Sequence, residues 1–267
     1  MLGRERDIMN QPASRSSELN TPEQQREAAT LLQWPWSAQA THALTTYFRC
    51  MEDVNTPEQL ADVLTETLGH APPVLLDVQR ELGGITLHDR GAHTLHLCLD
   101  SISSIETGWD EGMWLLPLAW RDVAVPDWNI RLDGQVDDGP FLYANARLCV
   151  EWHVIHRSLF NQERTCPVYS QSVEVRGKPF EALRSSLTVL AEFLDMDLAP
   201  LLSDSWNLLW LSEHAELTVQ HDVKGVTHAR LTTEHLEAAE TFSDWCHTYG
   251  TSVWDRKRIE PHTADAG

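Results

Sequence analysis

The hydrophobic period changes twice along this chain, and that change limits its fold more than any other feature. Apolar residues recur at helical spacing after Thr56 (Leu60, Val63, Leu64, Leu68), then at strand spacing, then at helical spacing again from Glu181 (Leu183, Leu187, Leu190). Two helix starts with the same four residues, Thr21-Pro22-Glu23-Gln24 and Thr56-Pro57-Glu58-Gln59, lie in the first block. Thr as cap, proline in the first turn and Gln three residues on together satisfy the loose N–H groups of a helix start. The residues that follow do not continue in register, so the pair is not an internal repeat. Gly69 ends the second of these helices. A further short helix fits Pro72 to Leu82 and leaves through Gly83-Gly84, with Gly83 expected to close it in the left-handed conformation.

Strand signals follow. Ile85 to His88 is short, and Thr94 to Leu99 alternates, with Leu95, Leu97 and Leu99 on one face and Thr94, His96 and Cys98 on the other. Trp114 to Trp120 and Trp128 to Leu132 are strand-like, and Leu148, Val150, Trp152 and Val154 form another alternating set. Pro167-Val168-Tyr169 and Val173-Glu174-Val175 read as a shorter pair at a sheet edge, because of the proline. Helix returns over Glu181 to Asp195, where Phe193 and Leu194 extend the apolar period, then near Ala199 to Ser212, and finally over Thr233 to Tyr249; Val226 to Leu231 reads as a strand. Segregated helices and strands predict an α+β fold, a mostly antiparallel sheet flanked by helices with extra helical segments at both ends. Residues 1–20 are polar and read as a disordered arm, 21–255 as one globular domain, and 256–267 as a flexible tail.

Composition narrows the function classes. The chain has 267 residues, enough to bury a full core without staples. Forty acidic residues against twenty basic ones give a formal charge of −20. Such a chain repels phosphate backbones and anionic lipid, so nucleic acid and membrane are excluded as partners, whereas a basic protein is attracted. No apolar run is of bilayer length, and no apolar h-region of a secretory signal stands near Met1. Five cysteines, odd in number and without close pairs, read as reduced thiols in a cytoplasmic protein.

Signatures for phosphate-binding loops, dinucleotide folds, zinc proteases, serine hydrolases and zinc deaminases are absent. His88, His93, His96 and Cys98 lie close together, and Cys149 shares a strand face with His153. Pairing of those strands would converge soft ligands, which is the basis of an alternative reading as a metal-dependent enzyme with a His/Cys-lined sheet face. His214, His221 and His228 recur every seven residues, but Lys224-Gly225 breaks a continuous helix, so the spacing reads as coincidence on surface turns. Asp137-Asp138 reads as a solvated loop and Asp195/Asp197 as a polar helix stop. Of the eleven tryptophans, Trp152, Trp210 and Trp245 fall on core faces, whereas Trp36 and Trp109 sit in turn-like context and are the candidate partner anchors. No catalytic residue, metal ligand or cofactor is assigned.

The order of these pieces resembles the SUKH superfamily, of SMI/KNR type. Leu68-Gly69, Pro72-Pro73 and Glu81-Leu82-Gly83-Gly84 are similar to its helix, "lP" entry and Gly-Gly corner. Asn145 to Trp152 (NARLCVEW) resembles its "ENQ-x-V-x-x-W" strand, and Cys166-Pro167-Val168-Tyr169 its "D-P-P-V-Y" strand. Ser185 to Leu194, with Leu187, Phe193 and Leu194, resembles its closing "S-x-S-L-x-x-F-L" helix. Ala144 and Ala146 replace the usual Glu and Gln, and Thr165-Cys166 the acidic Asp-Pro. The likeness covers residues 57–197. It implies a SUKH-like fold and a non-enzymatic binding protein, foremost an immunity protein that neutralises a basic protein toxin domain, or else a regulatory protein with another partner.

Overall fold

The structure is a computed structural model that describes residues 19–51, 54–88, 94–99, 106–107, 114–121, 126–161 and 167–260. Its contacts divide the chain into two compact units, Met1–Asp133 and Gly134–Gly267. The fold is α+β, and its strands pair antiparallel. The stretch 57–197 contributes residues to both units.

The described part of the first unit begins at Leu19, two residues before the expected helix start. Leu19 bridges Tyr47, and the Asn20 side-chain amide donates to the carbonyls of Thr45 (2.8 Å) and Tyr47 (3.0 Å). Helices α1 (Pro22–Leu31) and α3 (Pro57–Leu68) both carry the full capping box that their Thr-Pro-Glu-Gln starts predict. Between them stands α2 (Ala38–Thr45), capped by Ser37 and not foreseen from the sequence. Leu60 and Leu64 of α3 are buried, as are Leu75, Val78 and Leu82 of α4 (Pro73–Leu82).

The corner after α4 differs from expectation by one residue. Gly83 has φ −55°, because its N–H still bonds the Gln79 carbonyl at 2.9 Å; the left-handed residue is Gly84, at φ +80°. The Gly84 N–H donates to the Leu97 carbonyl and its own carbonyl accepts from Cys50, both at 2.9 Å. A Cβ there would strike the Cys50 carbonyl oxygen.

The corner delivers the chain into β1 (Ile85–His88), which pairs with β2 (Thr94–Leu97) at Ile85↔Leu97. Then come β3 (Glu106–Thr107), β4 (Trp114–Arg121) and β5 (Pro126–Arg131), in the order β1-β2-β4-β5 with β3 beside β4. The β4–β5 register shifts around Pro117, where a residue without an N–H is tolerated inside a strand. Cys98, expected opposite the leucine face, is buried as well.

The second unit begins with a hairpin, β6 (Val136–Asp138) and β7 (Phe141–Tyr143), so Asp137 and Asp138 stand in a strand rather than a loop. The next segment is the largest departure from the sequence reading. NARLCVEW is not a strand: it opens α5 (Ala146–Asn161). Asn145 accepts from the Leu148 N–H at 2.9 Å as a helix cap does. Ala146, Leu148, Cys149, Val150, Glu151 and Trp152 are all buried, so the polar face that would reveal a 3.6-residue period is missing. Any alternate subset of such a run imitates a strand.

The remaining elements are β8 (Val168–Val175), α6 (Phe180–Phe193), β9 (Asp197–Leu198), a 3-10 turn (Pro200–Leu202), β10 (Asn207–Leu211), β11 (Ala215–His221), β12 (Thr227–Thr233), α7 (Leu236–Tyr249), β13 (Ser252–Val253) and β14 (Lys257–Ile259). The strand order is β13-β8-β12-β11-β10-β9, with β14 also beside β8. Four features differ from the sequence expectation. Pro167-Val168-Tyr169 does not belong to a short edge pair: Val168 starts one eight-residue strand flanked on both sides, and Pro167 precedes it, where its missing N–H costs no ladder bond. The helix expected over 199–212 is a 3-10 turn and β10, since Leu208, Leu209 and Trp210 form a wholly buried run too short for a helix. Strand β14 lies where a flexible tail was expected, paired with β8 from Lys257↔Ser170 to Ile259↔Val168. Phe193, expected on the packed side of α6, is 73% exposed, because Leu183, Leu187 and Leu190 already define the face that meets the sheet.

The expected arm at 1–20 lies outside the described residues up to Glu18, as does the tail from Pro261.

Candidate functional site

The sheet of the second unit has two unlike faces. Val173, Ala229, Val219, Leu231 and Leu217 point to one side and form a core with Leu183 and Leu187 of α6 and Phe242 and Trp245 of α7. Strand alternation therefore turns their neighbours to the other side. There the register builds three cross-strand rows of polar residues: Glu216–Thr232–Ser170, Thr218–Arg230–Ser172 and Gln220–His228–Glu174.

Arg230 holds the middle of this lattice. Its Nε donates to Ser170 Oγ at 3.1 Å, and Ser170 Oγ lies 3.4 Å from Thr232 Oγ1. Burial lowers the pKa of the Arg230 guanidinium, and nearby Glu216 opposes that shift. Gln220 donates to Tyr143 Oη at 2.9 Å and to Asn207 Oδ1 at 3.2 Å. His228 is flanked by Asp222 (Nε2 to Oδ2, 3.4 Å) and Glu174 (Nδ1 to Oε1, 3.8 Å), with the Phe141 ring edge-on at 5.2 Å. Trp254, Asp255 and Lys257 wall a groove of about 400 Å³ over this face. Hydroxyls, amides and one central cation suit recognition of a polar surface. Sequence reasoning misses the lattice because the histidine spacing suggests turns over 215–221, although Leu217-Thr218-Val219-Gln220 alternates cleanly.

The seven-residue histidine spacing also has a structural cause. His214 stands in the exposed bend before β11, as expected, but His221 closes β11 and His228 stands on β12, so the hairpin turn between these two sets their separation and they are strand residues. His221 is stacked between Phe180 (4.8 Å) and Trp206 (5.8 Å). Burial there lowers its pKa, against the pull of Asp222.

The helix α6 carries a second feature of the same unit. Val189 and Phe193, four residues apart on one stripe, are 65% and 73% exposed. Glu181 and Glu192 of the same helix, Asp195 in the turn after it and Asp197 of β9 are exposed, and Leu198 of β9 is 40% exposed. A bare valine and phenylalanine on an ordered helix that also exposes carboxylates match the composition of an interface centre.

The residues singled out from the sequence are dispersed. Trp36 is half-buried, and its indole N–H donates to the Glu81 carboxylate at 2.7 Å; Trp109 lies outside the described residues. Trp152 is buried, as expected, and donates to the Leu202 carbonyl at 2.7 Å. Tyr169 is half-buried with the Arg256 guanidinium 5.9 Å from its ring centre, Leu187 is fully buried, and Leu194 packs against the core. His96 pairs with Thr86 Oγ1 at 3.1 Å. The side chain of His88, all of His93 and Cys166 lie outside the described residues. Cys149 and His153 sit on α5, so the strand pairing that was to bring them to Cys98 does not form. Among the described residues no three His, Cys, Asp or Glu side chains gather as metal ligands would. The Cys246 thiol, on the core face of α7, is pushed up to about 12 by burial and serves as a packing group.

The chain matches no family model, no curated protein and no solved structure. No helix among the described residues is long and apolar enough to cross a membrane.

Proposed function

We propose that this protein is a non-enzymatic, cytoplasmic binding protein that neutralises a basic protein toxin domain by stoichiometric docking, as immunity proteins of SUKH type do. The observation that carries this reading is the exposed stripe of α6, with Val189 and Phe193 bare beside Glu192 and followed by the exposed Asp195 and Asp197. The −20 charge of the chain steers a basic partner toward any such surface, and a desolvated aromatic then supplies the short-range part of the affinity. The helix–Gly69–Pro72-Pro73–helix–Gly84 order supports the SUKH likeness, whereas the helical NARLCVEW segment departs from it.

The test uses the C-terminal domain of a secreted toxin encoded in the neighbouring reading frame. Co-expression is expected to protect cells, and the purified pair to form a 1:1 complex whose on-rate falls steeply with salt while its off-rate changes less. Phe193→Ala is expected to weaken the complex about 100-fold. Absence of a complex at low salt, or a complex indifferent to Phe193→Ala, overturns the reading.

A further inference from the structure

A polar cleft lies on the helical side of the second sheet. Its walls come from one stripe of α7 (Glu240, Ser243, Asp244 and His247, at helical spacing) and from the chain between β13 and β14, which contributes Asp255 and Arg256. Its remaining polar wall is Gln171 of β8. The strand pairing there is irregular: Val253 faces Val173 but Lys257 faces Ser170, so three residues, 254–256, span two on β8. This is a one-residue bulge, a device that re-aims side chains.

Gln171 is the unusual member. It is 5% exposed, and its amide nitrogen makes one long contact, 3.5 Å to Ser243 Oγ. Its Oε1 is buried and accepts no hydrogen bond. A buried acceptor left unpaired is unfavourable, and native proteins seldom keep one without a reason. The carboxylates of Glu240, Asp244 and Asp255 line the same cleft, which favours a cationic donor as the group that completes it. The resident Arg256 does not fill this role. Its closest carboxylate contact is 3.9 Å, to Glu240, and its guanidinium lies over the Tyr169 ring.

We infer that this cleft binds a guanidinium group, with Gln171 Oε1 and the carboxylates of Asp244 and Glu240 as its acceptors. A guanidinium offers five donors in a planar fork, which can engage a carboxylate and an amide oxygen at once; a lysine ammonium is a compact point charge and matches the site less well. Binding gives the Gln171 acceptor the partner that the free chain leaves out. The same chemistry is offered by free arginine derivatives and by an arginine side chain of a peptide. The inference stands apart from docking on α6.

The test is calorimetric titration of the full chain with L-argininamide, with lysinamide, and with a short blocked peptide containing one arginine. Argininamide is expected to bind about tenfold tighter than lysinamide. Tighter binding of the peptide assigns the site to an arginine within a chain, and tighter binding of argininamide to the free compound. Gln171→Met, which keeps the volume and removes the acceptor, is expected to weaken argininamide about tenfold while leaving the melting temperature unchanged or higher. Asp244→Asn, at an exposed position, is expected to weaken it similarly. Phe193→Ala should leave this titration unchanged, so its outcome is separate from the toxin reading. No binding of argininamide, equal binding of lysinamide, or full binding by Gln171→Met overturns the inference.

Discussion

The indole N–H of Trp36 donates to the carboxylate of Glu81 at 2.7 Å, and Glu81 is only 2% exposed. The same carboxylate accepts the backbone N–H of Gln33 (2.9 Å) and of Trp34 (3.0 Å), so one buried side chain of α4 holds the whole turn between α1 and α2. Arg49 donates to the Glu81 carbonyl and contributes the nearby positive charge. Trp36, which sequence context marks as a partner anchor, is thus committed within its own unit. Glu81→Leu would leave three donors without their acceptor. A loss of about 3 kcal/mol in unfolding free energy is expected, read by chemical denaturation. Trp36→Phe, which removes a single donor and keeps an aromatic ring, should cost about 1 kcal/mol.

Three glycines near the α3 and α4 ends rank by what a methyl group would meet. Gly69 is left-handed (φ +79°) with open space around it, so Gly69→Ala should cost about 1 kcal/mol. At Gly84 the same strain (φ +80°) adds to a clash with the Cys50 backbone, and Gly84→Ala should cost about 3 kcal/mol. Gly83→Ala has no φ strain but places Cβ 2.5 Å from the Gln79 carbonyl oxygen, and should fall between them. Melting curves of the three variants check the order.

Two groups contribute to the acid response of the second unit. His221 has a lowered pKa from burial, so the fold prefers the neutral ring. The unfolded chain then binds more protons, and this contribution to stability is complete above pH 6.5 and lost as pH falls below it. Burial alone would raise the Asp222 carboxyl, but hydrogen bonds from the Val226 and Lys224 N–H groups and from His228 outweigh it and hold the carboxyl below its usual 3.8. Its contribution is present above that pH and lost below it. Denaturation midpoints measured from pH 7 to 3 should show two declines. His221→Phe should remove the first and leave the second.

Exposure on α6 separates docking from stability. Phe193→Ala should change unfolding free energy by no more than about 0.5 kcal/mol, because the ring meets solvent. Phe242→Ala, at a fully buried position of α7, should cost about 3–5 kcal/mol. A large effect at Phe193 would mean that the ring packs within the unit.

Much of the architecture is carried by local chemistry and is therefore legible in the residue string. The boxes at Thr21 and Thr56, the stop at Gly69 and the amphipathic period of α6 each depend on neighbours within a few residues, and each stands where expected. The α+β class follows from the same signals. Burial on all sides is not local. The first turns of α5 and the run Leu208-Leu209-Trp210 have lost the polar contrast that reports a period, so in the residue string one imitates a strand and the other a helix. The candidate surfaces depend still more on distant pairing. Arg230 meets Ser170 only because β12 and β8 pair in one register, and Gln171 meets the acidic stripe of α7 only because α7 packs on that sheet. Residue types and charge determine that this chain is acidic and α+β. Strand register and helix packing decide which of its forty carboxylates stand together, and which aromatic is left bare.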